Sequence, residues 1–177
     1  MKSIIFGICL LFALNISAQT AGVNWISISE VEKLMEKNPK KVLIDVYTQW
    51  CGPCKTMNNT TFKDPKVVKY INDNYYAIKF DAESPESVTF RGQTFNNPQY
   101  DATRQGGRNG THELTMAIAP VNGRVAYPTI VYMDESFQIL SPVQGMQPPA
   151  QIMPVLTYFG DNAYKTATWQ EYTAGNN

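Results

Sequence analysis

Two cysteines separated by two residues, Cys51 and Cys54 in the run Trp50-Cys51-Gly52-Pro53-Cys54, are the side chains of this chain best suited to do chemistry. Residues 42–47 just before them form a short apolar run without alternation, as expected of a strand covered on both faces, and from Gly52 the pattern turns helical. The first thiol then occupies a helix N-terminus, where unpaired backbone N–H groups and the macrodipole favour negative charge. That setting lowers a cysteine's pKa and raises its thiolate fraction at neutral pH. The second thiol, three positions on, shares the helical face and can close a disulfide with the first. Pro53 is tolerated because a first-turn proline removes only an N–H that lacks an intrahelical partner. Gly52, without a side chain, lets a second polypeptide come close.

Other uses of the pair fit less well. A structural zinc site normally takes four ligands, and the chain has one histidine, His112, far away in sequence. A purely structural disulfide across so small a ring contributes only about 2 kcal/mol by loop-entropy arithmetic, less than a longer loop would. Redox exchange is the better explanation, and it needs no metal and no cofactor beyond the Cys51–Cys54 pair.

The third cysteine, Cys9, belongs to a different region. Lys2 gives a short positive start, residues 4–14 form an apolar run of eleven, and Ile16-Ser17-Ala18 ends in a small residue suited to cleavage. Residues 1–18 therefore read as a secretory signal peptide, the run being too short to span a bilayer as a retained helix. Ile8 rather than a small residue precedes Cys9, which disfavours lipid anchoring there. The expectation is an exported protein whose residues 19–177 make one domain, with Cys51 and Cys54 as its remaining thiols. Fifteen basic residues balance fifteen acidic ones and are scattered, which argues against nucleic acid or an anionic membrane surface as partner.

The remaining elements must position the cysteines. Ser27 and Glu30 fit a capping box ahead of a helix with Val31, Leu34 and Met35 as its apolar face, stopped by Asn38-Pro39. Asp64-Pro65 restarts a helix as cap and first residue, with Val67, Val68 and Ile71 as its buried stripe. Residues 76–81, 129–133 and 138–143 read as strands, the last two joined as a hairpin, with Pro142 suiting an edge. Pro148-Pro149 opens a final helix ending at Gly160, and the tail, 161–177, has room for one short turn around Trp169. The order of elements implies an α/β fold with a mixed central sheet flanked by helices.

Residues 83–110 stand apart as a polar insert longer than compact domains usually leave unstructured. Within it, 88–90 and 93–95 flank Arg91-Gly92 as a small hairpin, and Phe90, Phe95 and Tyr100 could face a partner or fold onto the domain. Thr111 reads as the cap of a helix through Leu114, Ala117 and Ile118, with His112 a surface residue at its start.

On these residues the chain resembles the thioredoxin superfamily. Trp50-Cys51-Gly52-Pro53-Cys54-Lys55 has the form found in thioredoxins, and 42–47 precedes it as the family's central strand does. Pro128, between Tyr127 and Thr129, sits where the family places its cis-proline, and Gly145 matches in the loop after the last strand. The stretch from Met57 to Val68 looks closer to exported relatives such as the C-terminal domain of DsbD. The likeness runs from Ile26 to Phe159 apart from the insert, which precedes the cis-proline strand.

The resemblance implies a thioredoxin fold and a thiol–disulfide oxidoreductase. It implies that Cys51 is the exposed nucleophile, that Cys54 resolves the mixed disulfide, and that Asp45 accepts the proton of Cys54. Trp50, Gly52, Pro53, Tyr127 and Pro128 would line the substrate-binding surface, the Tyr127 backbone pairing with a substrate strand. Lys79 matches the lysine that thioredoxins pair with their buried aspartate, provided the strand register holds.

Gly-Pro between the cysteines is the thioredoxin choice, and thioredoxin lies near about −270 mV against about −120 mV for the oxidant DsbA. The expectation is a monomeric periplasmic protein-disulfide reductase, acting on disulfide-containing proteins and re-reduced by a membrane thiol donor of the DsbD type. The rival readings are an isomerase or oxidase on the same fold, or a non-catalytic binding module that uses the insert loop.

Overall fold

Ser27 caps the first helix as the sequence predicts. Its hydroxyl accepts the Glu30 N–H at 3.2 Å while the Glu30 carboxylate accepts the Ser27 N–H at 2.8 Å, closing the capping box of helix α1 (Ile28–Lys37). The structure, a computed structural model, describes residues 22–175. The signal-peptide reading of residues 1–18, Cys9 included, lies outside the described residues.

A two-residue strand β1 (Trp25–Ile26) precedes α1, followed by β2 (Lys41–Tyr47), α2 (Gly52–Asn59), a 3-10 turn (Thr61–Lys63), α3 (Pro65–Asn74) and β3 (Tyr75–Asp81). Then come β4 (Val88–Phe90), β5 (Gln93–Phe95), α4 (Glu113–Ile118), β6 (Thr129–Met133), β7 (Ile139–Gln144), α5 (Pro149–Gly160) and α6 (Trp169–Gly175). The main sheet has the order β1-β3-β2-β6-β7. Strands β1, β3 and β2 run parallel, while β6 is antiparallel to β2 and β7 to β6. This is the mixed, helix-flanked sheet that the element order implies. Strand β1 carries too few residues for a periodic signal and was not expected.

Each face of the sheet carries its own core. Leu43, Ala77, Ile130 and Tyr132 pack with Met57 of α2, Val67 and Ile71 of α3, and Ile152 and Leu156 of α5. Val42, Ile44, Val46, Ile78, Phe80 and Val131 pack on the opposite side with Val31 of α1 and Leu114 of α4. Strand alternation therefore puts Asp45 with Leu43, on the face covered by the cysteine helix. In α1 the buried stripe is Ile28, Val31 and Met35, and Leu34 turns outward, 37% exposed, correcting its expected place on the apolar face. Positions 28, 31 and 35 form one helical stripe in the second core, and Leu34, one residue before Met35, falls off it.

The insert is folded. β4 and β5 pair antiparallel around Arg91 and Gly92, whose φ values of 54° and 75° are those of a tight hairpin turn. Phe90 is buried in the second core against Phe137, with ring centroids 5.2 Å apart, and Phe95 packs on the same cluster. Tyr100 remains exposed. The Arg91 N–H donates to Glu32 of α1 at 2.6 Å.

His112 departs from the reading as a surface residue. It is fully buried and it, not Thr111, is the N-cap of α4. Nδ1 accepts the Leu114 N–H at 3.1 Å, which leaves Nε2 as the donor to the Glu86 carbonyl at 2.9 Å. The ring also meets Phe80 edge-on at 5.2 Å. Histidine thus caps the helix and ties the insert to it, a role that depends on residues 26 positions apart.

Candidate active site

Strand β2 delivers the chain to the site and α2 fixes it there. After Tyr47 the backbone turns, the Cys51 N–H donating to Thr48 O at 3.2 Å, and Cys51 becomes the N-cap of α2. Its Sγ accepts the Cys54 N–H at 3.1 Å, and Pro53 lies within the first turn. The sulfur therefore sits where helix dipole and free N–H groups stabilise an anion. Cys51 and Cys54 are joined as a disulfide, with Cα atoms 5.3 Å apart.

Cys51 is only 2% exposed and Cys54 5%, so the expected exposed nucleophile is covered in this oxidised form. The cause is visible in the bonding: Sγ turns inward over the helix end toward Cys54 instead of outward to solvent. Gly52 and Pro53 beside it are exposed, and nothing lies within 4 Å of where a Gly52 side chain would be.

Beneath the disulfide, Asp45 and Cys54 line one cleft of about 300 Å³, together with Thr48, Asn58 and Lys79. Asp45 is 2% exposed, and its Oδ1 has no hydrogen-bond partner among the described residues. Burial pushes its carboxyl from the ordinary 3.8 up to about 7, against the opposing pull of Lys79. Lys79 stands directly across from Asp45 in the β2–β3 register, so the two side chains share a face. Its ammonium donates to Asn58 Oδ1 and rests over the rings of Tyr47 and Trp25, at 5.1 and 5.7 Å. It neutralises Asp45 only partly.

On the other side, the Tyr127–Pro128 peptide bond is cis and leads into β6, whose Thr129 pairs with Val46 of β2. Pro128 O accepts the Gly145 N–H at 2.8 Å, Gly145 having the positive φ of 98° that the chain needs after β7. The Tyr127 ring meets Trp50 edge-on at 5.8 Å. All eight residues singled out in the sequence thus gather around the end of β2 and the start of β6.

Sequence reasoning missed two residues of the insert. Glu83 accepts the Trp50 Nε1–H with both carboxylate oxygens at 3.0 Å, and the Arg108 guanidinium stacks over the Trp50 ring at 5.0 Å. No local pattern marks either one, because both contacts close across loops that lack periodicity.

Residues 28–160 match the thioredoxin-like domain family. Among curated proteins, rice chloroplastic thioredoxin Y (Oryza sativa subsp. japonica) is 32% identical over 78 residues, 44% of this chain and 45% of that protein. The thiol:disulfide interchange protein DsbD of Escherichia coli K12 is 36% identical over 67 residues, 35% of this chain and 12% of that protein. The match thus spans less than half the length of these relatives. A solved thioredoxin-fold protein from Helicobacter pylori superimposes with a TM-score of 0.59 at 17% identity, over 90% of this chain and 89% of its own. Sheet order and the structural likeness agree on a thioredoxin fold, and this one carries a disulfide-forming cysteine pair. The chain belongs to the thioredoxin-like domain family.

Proposed function

We propose that the protein is an exported protein-disulfide reductase that works by dithiol–disulfide exchange through Cys51 and Cys54. The observation that carries this reading is the joint placement of the disulfide at the N-terminus of α2 and of buried, partner-poor Asp45 in the cleft that also reaches Cys54.

In the reduced protein the Cys51 thiolate attacks one sulfur of a substrate disulfide, forming a mixed disulfide and expelling the other sulfur as a thiolate. Cys54 then gives its proton to the Asp45 carboxylate and attacks Cys51 Sγ. The second substrate thiolate leaves, and the proton returns through the cleft to a thiolate or to water. Two electrons pass from protein to substrate: the protein ends as the Cys51–Cys54 disulfide and the substrate as two thiols, one proton coming from Cys54 and the other from solvent. A carboxyl titrating near 7 is suited to both proton steps, since each protonation state is populated at neutral pH. Trp50, Gly52, Pro53, Tyr127 and Pro128 form the surface that receives the substrate chain. Export follows the reading of residues 1–18, and a thiol donor in the membrane, of the kind the DsbD likeness suggests, would restore the dithiol.

The direction of electron flow is tested by the reduction potential of the pair, titrated against glutathione. The expected value lies close to thioredoxin's, about −270 mV. A potential above about −150 mV would reverse the reading toward an oxidase, since the gap of about 150 mV that separates thioredoxin from DsbA amounts to about 7 kcal/mol for a two-electron couple.

A further inference from the structure

The insert holds a cation at the lip of the site. Arg108 is exposed, and its guanidinium lies over Trp50, the residue that immediately precedes Cys51. The loop that carries it is tied down at several points. Asn109 accepts the Asp101 N–H at 2.8 Å and donates to Asp101 O at 3.1 Å, while Arg104 donates to Arg108 O at 2.8 Å. Buried Asn97 donates to Gly110 O at 2.7 Å and to Ser84 O at 3.1 Å. Gly110 packs so closely on Gln99 that an added Cβ would come within 2.3 Å of its backbone. Trp50 is fixed in turn by Glu83 and Tyr127.

The charges are distributed unevenly. None of the ion pairs among the described residues involves Arg108. Two acids of the same region face other donors: Glu83 holds the Trp50 N–H, and Asp81 accepts from Gln49 Nε2 and from the Glu83 N–H, each at 3.0 Å, and neither is within ion-pair distance of the guanidinium. Lys55, one residue past Cys54, adds a second exposed cation. A planar guanidinium resting on an aromatic face is partly desolvated and keeps its outward donors free, which suits it to a carboxylate.

We propose that Arg108, held over Trp50 by the insert, selects substrates in which acidic residues flank the disulfide attacked by Cys51. The carboxylate of the arriving polypeptide pairs with Arg108 while its backbone passes Tyr127 and Pro128, so the insert sets partner preference and not the exchange chemistry. This inference rests on the function proposed above.

The test uses three synthetic peptides with the same intramolecular disulfide loop, flanked by glutamates, by lysines or by uncharged residues. Second-order rate constants for oxidation of the reduced protein are measured by stopped flow at low and at high salt. The wild type should favour the glutamate peptide over the lysine peptide by about tenfold at low salt, with the preference shrinking at high salt. Arg108→Glu should invert the ratio, and Arg108→Lys should keep its sign at reduced size. Because a ratio of peptides is read, any change in Cys51 nucleophilicity cancels. Equal ratios in wild type and Arg108→Glu, or a lysine preference in the wild type, would overturn the selection while leaving the reductase reading intact. Failure of the wild type to react with all three peptides faster than a free cysteine peptide does would instead sink the reductase reading, and the selection with it.

Discussion

Cys51→Ser lowers disulfide reduction to the uncatalysed level, a loss of at least about 10³-fold, because a serine hydroxyl does not ionise near neutrality and the first exchange cannot start. Cys54→Ala behaves differently. Its Cys51 still attacks, but the sulfur that would displace the substrate is gone, so the reaction stops at the mixed disulfide. Incubation with an oxidised protein such as insulin should give a covalent adduct, visible by mass spectrometry and on non-reducing gels and released by dithiothreitol. The asymmetry follows from position: Cys51 is the N-cap, and Cys54 lies within the first turn beside the Asp45 cleft. Normal turnover in either variant would contradict the assignment.

Asp45→Asn has the second large effect, read in two ways. Without the carboxylate, resolution of the mixed disulfide should slow about 10²-fold, and the rise in its rate as pH passes about 7 should vanish. The same carboxyl governs stability. In the folded protein it holds its proton up to about pH 7, whereas in the unfolded chain it releases it near 3.8. Between these values the folded state binds more protons, so its stability falls as pH rises through that window and levels off above it. From pH 5 to pH 8 the wild type should lose about 2–3 kcal/mol from this source, and Asp45→Asn should lose none of it. Urea unfolding of the oxidised protein at the two pH values measures the difference. An equal change in both proteins would show that Asp45 is ionised in the fold at every pH tested.

Local signals carried most of the framework. The capping box at Ser27, the Asp64-Pro65 start of α3, the apolar run of β2 and the Arg91-Gly92 turn each depend on residues within a few positions, and each forms as read. Resemblance located Asp45 and Pro128 at the same end of the sheet as the cysteines, where strand order then brought them together. What escaped depends on long-range closure. His112 caps α4 only because the Glu86 carbonyl returns to meet its other nitrogen. Glu83 and Arg108 reach Trp50 across sequence distances that no periodicity spans. Helical spacing alone fits Val31 equally with Leu34 and Met35, and the buried stripe runs through Ile28, Val31 and Met35 instead.

The central claim is that the Cys51 sulfur, once reduced, is held as an anion by the first turn of α2. It is tested most directly by the pH dependence of iodoacetamide alkylation of the reduced protein, with the modified residue identified by peptide mapping. Cys51 should react first, with a midpoint well below the ordinary thiol value of about 8.5. A midpoint at or above that value, or preferential labelling of Cys54, would contradict the account.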